Sequence, residues 1–413
     1  MTNEKKSYYK WGLLALLWFA YFFNQADRQI YNNLLPHIKG ELGLNDVQAG
    51  TISSIFILTI GISIPVAGLI GDFFNRKRII TLCILMWSVG TFFTGFANSA
   101  LFLILVFGIL VGAGEAFYAP SANALIGQYH VKTRGLAMSI HQTAYYSGII
   151  TSGFLAGYIA EHYGWRDNFF LFGSSGIILS LAIFLFLKKT PVTKKEVNTL
   201  KAVKESFVYF FTNPTALLLT LAFAGKLFAT VGYLTWAPTF LYEKHHYPLA
   251  KAGLYSMIFY HAGAFTGVLL GGKLSDILAL RNKNARMILI GVALLAGIPF
   301  IIWTGQAPDV VSMFAAMILF GLFRGIYDSN NYATLFDVIE PKYRSSAVGF
   351  EAMGGFIIGA VAPILLGYLK PLIGLSGGIS FLSVGYLVAG CSVFIALKYF
   401  FNTDYNKAFL YQS

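Results

Sequence analysis

The stretch Trp11–His37 reads WGLLALLWFAYFFNQADRQIYNNLLPH, and its placement decides the fold. Its first half is apolar, and its second half carries Asn24, Gln25, Asp27 and Arg28. At a rise of about 1.5 Å per residue, this segment as a helix is long enough to cross a hydrocarbon layer about 30 Å thick. Insertion scales charge roughly 2.5–3.5 kcal/mol for each ionised residue at the centre of such a helix. Asp27 and Arg28 are therefore expected to face a wet or protein-lined interior. The alternative is a solvated helix end beyond the membrane, which must still accommodate Gln29–His37 before the loop at Lys39–Asp46. Neighbours on a helix point about 100° apart, so the two residues need not pair with each other.

The rest of the chain carries the same character. Of 413 residues, 56% are hydrophobic and only 12% are charged, with a mean hydropathy of +0.65. A soluble chain carries about 25% charged residues, so the composition is that of a polytopic membrane protein. The net charge of +12 would suggest nucleic acid in a soluble chain. Here the basic residues lie in loops between apolar runs, so the bilayer is the expected partner and nucleic acid is not. Cys83 and Cys391 both sit inside apolar runs and the histidines are scattered, so no disulfide, metal site or cofactor is expected. Met1–Lys10 is polar and the segment after it is too long for a signal h-region, so no cleaved leader is expected.

Twelve apolar spans can be counted, at roughly 11–37, 48–73, 79–97, 101–127, 136–160, 168–187, 216–241, 252–275, 287–305, 311–337, 345–369 and 378–401. The longest polar interruption divides them six and six. The expected domains are thus an N-terminal bundle over 1–187, a cytoplasmic central loop over 188–214 and a C-terminal bundle over 215–413. Alternate loops are basic. One side collects Lys5, Lys6, Lys10, Arg76, Lys77, Arg78, Lys132, Arg134, the lysines 188, 189, 194, 195, 201 and 204, then Arg281, Lys283, Arg286, Lys342 and Arg344. The positive-inside rule puts both termini and the central loop in the cytoplasm.

The two halves echo each other. Gly68-Leu-Ile-Gly-Asp72 with Arg76 follows span two, and Gly272-Lys-Leu-Ser-Asp276 with Arg281 follows span eight. Glycine permits close helix approach, the aspartate can cap a neighbouring helix, and the cations hold the loop at the membrane face. One GxxxD is weak evidence, but two at matching places argue for an internal repeat. This loop pattern resembles the signature of the major facilitator superfamily over essentially the whole chain. The resemblance implies an all-α membrane fold of two pseudo-symmetric six-helix bundles. Phe73 and Asn75 depart from the usual pattern, and the second copy is looser.

The ionisable residues inside the spans recur with a period of three. Span one has Asp27 and Arg28, span four Glu115, span seven Lys226, and span ten Arg324 and Asp328. The superfamily resemblance implies that these four spans line a central cavity. Arg28 keeps its charge and offers a planar fork to a carboxylate. Lys226 can hold an anion or pair with an acid. Arg324 and Asp328, four apart, share a helix face; they either neutralise each other or leave Arg324 to substrate. Tyr145, Tyr233, Trp236, Tyr327 and Asn331 are candidate walls or hydroxyl-reading groups, or else packing. Glu115 lies among glycines and apolar residues, where burial opposes its charged form, so it can take up and release a proton. It can equally form a structural bridge to Arg28 or Lys226. His141, His261 and Glu351 read as local hydrogen-bonding partners, with His141 and Glu351 near cytoplasmic ends and His261 a reserve proton site.

Asn24-Gln-Ala-Asp27-Arg28, with Gly114-Glu115-Ala and Pro120, resembles the anion:cation symporter branch, which includes hexuronate, aldonate and sialic acid carriers. That implies a substrate carboxylate on Arg28 and protons on Asp27 and Glu115. Many relatives have an arginine where Gly108 stands here, so Lys226 or Arg324 is left to supply the second cation. Gly112-Ala-Gly-Glu115-Ala-Phe-Tyr also resembles spinster-type carriers of lysolipids.

The expected function is proton-coupled symport of a small organic anion, a sugar acid, by a monomer working by alternating access in a bacterial inner membrane. The alternatives are a spinster-like exporter of lysolipid or amphipathic anions, and a transporter-shaped sensor without flux. No Walker loop, nucleophile elbow or HExxH is present, so an enzyme is not expected.

Overall fold

The computed structural model describes residues 3–188 and 199–409, with the side chains of 3–7, 68–73, 199–202 and 409 outside the description. The expectations for Gly68 and Asp72, and for Lys5, Lys6, Lys189, Lys194, Lys195 and Lys201, fall outside the described residues or side chains. All regular structure among the described residues is helical. The first six helices are α1 Asn3–Leu42, α2 Asp46–Phe73, α3 Arg76–Thr94, α4 Ala100–Tyr129, α5 Arg134–His162 and α6 Trp165–Phe186. The next four are α7 Pro214–His245, α8 Leu249–Ala279, α9 Ala285–Gln306 and α10 Val310–Val338. After them come α11 Arg344–Gly359, α12 Val361–Phe381 and α13 Ser383–Tyr399. Within the polar interruption a connecting helix runs over Thr199–Phe211, so this segment is not loop throughout.

Nine of these helical stretches are long and apolar enough to cross a membrane, counted over the described residues. One, Pro341–Tyr399, contains two passes divided at Gly374, where φ is 67°. Only a residue without a Cβ takes that left-handed turn at little cost. Helices α1 and α5 have the length but too many polar residues to qualify by composition. Together these make the twelve spans of the sequence. Side chains such as Leu101, Ile178, Leu181 and Leu269 are exposed on the helices' outer faces. In water that surface would be costly, but in hydrocarbon it is the proper solvent-facing side.

Local chemistry sets the helix ends. Asn45 and Gln48 form a reciprocal capping box at the start of α2: Gln48 N–H donates to Asn45 Oδ1 at 2.8 Å, and Asn45 N–H to Gln48 Oε1 at 3.0 Å. Asn75, Ser99 and Asp309 cap α3, α4 and α10. At one end of α1, Glu41 accepts from Trp165 Nε1 at 2.7 Å and pairs with Arg166, which also donates to Ala97 O at 2.9 Å. Desolvation pushes the Glu41 carboxyl up, but the bonds from Arg166 and Trp165 outweigh it and hold it below the usual carboxylate range.

By internal contacts the chain forms two compact units. The first is Met1–Lys194 with Pro238–Met257, and the second is Lys195–Ala237 with Ile258–Ser413. The stretch Pro238–Met257 follows the sequence midpoint yet groups with the first unit. Glycines explain this: a Cβ on Gly153 of α5 would strike the Gly253 carbonyl, and one on Gly157 would strike the Ala250 backbone.

In the second unit, α8 and α10 cross backbone to backbone. Gly263, Gly267 and Gly271, spaced by four, meet Ile318, Leu322 and Ile326, while Gly321 and Gly325 return the contact onto Tyr260 and Ala264. This is small-residue packing, which lets two helices gain dispersion contacts where lipid provides no hydrophobic drive. The close approach expected at Gly272 is made by its neighbour Gly271; a Cβ on Gly272 would meet nothing within 4 Å.

Candidate functional site: two buried ion-pair clusters

In the first unit, the site is built on α1 and α4. The backbone of α4 widens to π-helical hydrogen bonding over Ile104–Val111, one turn before Glu115. Glycines seat the helix around that point. A Cβ on Gly108 would lie 3.1 Å from Ile55, one on Gly112 3.0 Å from Phe56 O, and one on Gly114 2.9 Å from Trp87 N. Helix α4 is thereby pressed between α2 and α3, and Glu115 comes to Arg28. The Arg28 Nε–H donates to Glu115 Oε2 at 2.5 Å. The guanidinium side chain is 22% exposed and the carboxylate 0%. Glu115 Oε1 has no hydrogen-bond partner among the described residues.

Asp27 points elsewhere, as neighbours on a helix should. It is buried, and its Oδ2 accepts from Thr91 Oγ1 of α3 at 3.2 Å, while its Oδ1 has no partner among the described residues. Placing Asp27 and Arg28 in the protein interior, rather than at a wet helix end, agrees with the burial of Asn24, Gln25, Gln29 and Asn33 around them.

In the second unit, α7 and α10 hold the corresponding arrangement. Asp328 is shared: Oδ1 lies 2.7 Å from Lys226 Nζ, and Oδ2 accepts from Arg324 Nε at 3.0 Å. The two cations are 6% and 8% exposed and the carboxylate 26%. Of the two readings of Arg324, the neutralising contact is thus present, and Lys226 joins it. Arg324 also lies 5.1 Å over the Tyr260 ring, and Lys226 lies 4.8 Å over Phe223.

Each unit therefore ties a cation on its first long helix to an acid on its fourth: Arg28 to Glu115, and Lys226 to Asp328. The repetition goes one step further. Three residues beyond each acid, a polar side chain reaches the next spanning helix. Tyr118 O–H donates to Leu17 O at 2.5 Å, so its oxygen accepts from His141 Nε2 at 3.2 Å, which assigns the proton to Nε2. Asn331 Oδ1 accepts from Tyr327 at 2.6 Å, and its Nδ2 donates to Glu351 Oε2 at 3.1 Å. His141 and Glu351 do not reach toward the membrane surface: they are 3% and 0% exposed and bonded inward.

The remaining candidates are placed as follows. Trp236 is fully buried and donates its indole N–H to Pro363 O at 3.0 Å. Tyr145 is half-buried, with its ring against Tyr21 and Tyr146. Asn331 has both ends of its amide engaged. In the loop motifs, Arg76 donates to Gln128 at 3.2 Å, and Asp276 lies 4.0 Å from Arg286, which also binds Asp337 at 3.1 Å. Thr91, Tyr118 and Tyr260 escaped the sequence reading. Tyr118 carried a signal, its spacing of three from Glu115; Thr91 and Tyr260 carried none.

A multi-pass helical protein that keeps ionised groups paired inside its spans has the construction of a solute carrier. Residues 17–363 match the model of the Major Facilitator Superfamily, and the chain belongs to that family. It is 28% identical over 375 residues to the probable sulfoacetate transporter of Cupriavidus necator, covering 86% of each chain. It is 25% identical over 431 residues to the probable galactarate/D-glucarate transporter of Escherichia coli, covering 95% of this chain and 94% of that one. Among solved structures, a bacterial homolog of the human lysosomal transporter Spinster, inward-facing and unoccupied, superposes with a TM-score of 0.83 at 23% identity, covering 96% and 98% of the two chains. The protein is an integral multi-pass membrane transporter rather than an enzyme.

Proposed function

We propose that this chain carries a small organic anion together with protons, by alternating access between two six-helix bundles. The anion is of the sugar-acid class: a hexuronate, aldonate or sialic acid. The observation that carries the reading is the Arg28–Glu115 pair. A guanidinium that keeps its charge is held through one edge by a fully buried carboxyl, whose other oxygen has no partner among the described residues. A substrate carboxylate can take the remaining N–H groups of Arg28, and Glu115 is free to be neutralised as it does so. Asp27 is the second proton carrier. Lys226 and Arg324 supply further positive charge, with Tyr145 and Trp236 as walls and Asn331 holding their polar surroundings in register. The carrier works as a monomer in a bacterial inner membrane with both termini cytoplasmic.

The names of the two relatives support an anionic cargo. The likeness of Gly112–Tyr118 to spinster carriers supports a second reading, export of a lysolipid-like anion. Proteoliposomes decide between them. They would be tested for accumulation of D-glucuronate, D-gluconate, sialate, D-glucarate and sulfoacetate under an inward proton gradient, with lysophosphatidylcholine and lysophosphatidylglycerol in parallel. Accumulation of a sugar acid that collapses with a protonophore is the expected result. Movement of lysolipid alone would replace this reading with the second. Saturable binding without any flux would mark a sensor.

A further inference from the structure

The charges of the two clusters differ. The first unit sets one cation against two acids, Asp27 and Glu115. The second sets two cations, Lys226 and Arg324, against the single carboxylate of Asp328. Helix α11 adds one more acid there. Glu351 is completely buried; its Oε2 takes one hydrogen bond from Asn331, and its Oε1 has no partner among the described residues. The ammonium of Lys226 is already bound to Asp328. Burying an ionised carboxyl in such a place is costly unless a cation or several donors compensate it.

Helix α7 presents Lys226 to Glu351, and α10 presents Asn331, Tyr327 and Tyr332. Phe223 and Leu227 of α7 pack against Gly355, one turn on. The connecting helix contributes the rings of Phe207, Phe210 and Phe211, which pack on the neighbouring Phe350.

We propose that Glu351 is a third proton-exchanging carboxyl, whose proton sets the net charge of the Lys226–Arg324–Asp328 cluster. With the proton on Oε1, the group of four carries one net positive charge and favours an anion. With the proton gone, the group is neutral. Proton and anion then bind with mutual benefit, which is the thermodynamic requirement for carrying them together. The Asn331 amide orients the carboxyl, and Tyr327 locks the amide, so loss of the proton is felt on α10. This inference rests on the proton-symport reading for its purpose, but not for its test.

The test is a pH-difference infrared spectrum of the whole protein in lipid, without substrate, for wild type, Glu351→Gln and Glu351→Asp. A protonated carboxylic C=O band that titrates in the wild type should be absent from Glu351→Gln and shifted in Glu351→Asp. Gln retains an oxygen to accept from Asn331, so the fold should survive. If it does not, the shift in Glu351→Asp decides. An unchanged set of carboxylic bands in Glu351→Gln, or an unshifted band in Glu351→Asp, overturns the proposal. If the band titrates as expected but a proton gradient drives no uptake of any anion, the symport reading fails and the proton site stands. If uptake is proton-driven and the bands are unchanged, the reading stands and this inference fails.

Discussion

Replacing Arg28 by Lys separates a fork from a point charge. Arg28 touches Glu115 through Nε at 2.5 Å, which leaves the two terminal amino groups on the far edge of the guanidinium. A substrate carboxylate set against that edge makes two parallel charge-assisted bonds while the bridge to Glu115 persists. Lys carries the same charge at a single nitrogen, so it can hold Glu115 or the substrate well, but not both in planar register. A hydrogen bond to a charged group contributes about 1.5–3 kcal/mol. Losing one such bond weakens binding about tenfold to 150-fold, since each 1.4 kcal/mol is about a factor of ten. Arg28→Ala should lose binding beyond detection, because Glu115 then remains buried without its cation. The assay is isothermal titration of the purified protein with the anion identified by uptake, after size exclusion has shown each variant to be monodisperse. Wild-type affinity in Arg28→Lys would refute bidentate recognition. Wild-type affinity in Arg28→Ala would remove Arg28 from the site altogether.

Glu115→Gln should abolish accumulation driven by a proton gradient while counterflow exchange of labelled anion persists; normal accumulation would show that the coupling proton sits elsewhere. At the α8–α10 crossing, Gly267→Val forces a side chain onto the Leu322 carbonyl and Ile326 N, so folded yield measured by fluorescence size exclusion should drop steeply. Gly272→Ala meets open space and should express like wild type; equal behaviour of the two would discredit the crossing. The Glu41 carboxyl is held below its usual range, so its contribution to stability is complete above the unfolded value of about 4.3 and is lost as pH falls through the lower folded value. Thermal melts of Glu41→Gln between neutral and acidic pH should therefore show a smaller acid-induced decline than wild type; parallel declines would mean the Arg166 contact carries no pH dependence.

Much of the architecture was readable from one strand of text because a bilayer constrains sequence so tightly. A helix must be apolar along the membrane's thickness, and any ionised side chain within it must have a reason. The span count and the charges at spans one, four, seven and ten follow from that constraint. So does the interior placement of Asp27 and Arg28, whose cost beside lipid would be prohibitive. The grouping of Pro238–Met257 with the first unit does not. Loop glycines were less informative: the text offers Gly271 and Gly272 side by side, and which of them meets α10 depends on the rotation of α8.

What the sequence alone determined, then, is which residues had to be partnered: Arg28, Glu115, Lys226, Arg324 and Asp328 cannot stand ionised in hydrocarbon. What only the tertiary structure decided is who partners whom. Glu115 was open to Arg28 or to Lys226, and takes Arg28 because Gly108, Gly112 and Gly114 press α4 against α2 and α3. Asp328 serves two cations, and Glu351 sits inside rather than at a membrane face, held by an amide whose orientation Tyr327 settles. Periodicity states the energy cost of a buried charge, but pairing depends on helix rotation and crossing distance, which small-residue contacts between chain segments far apart in sequence determine.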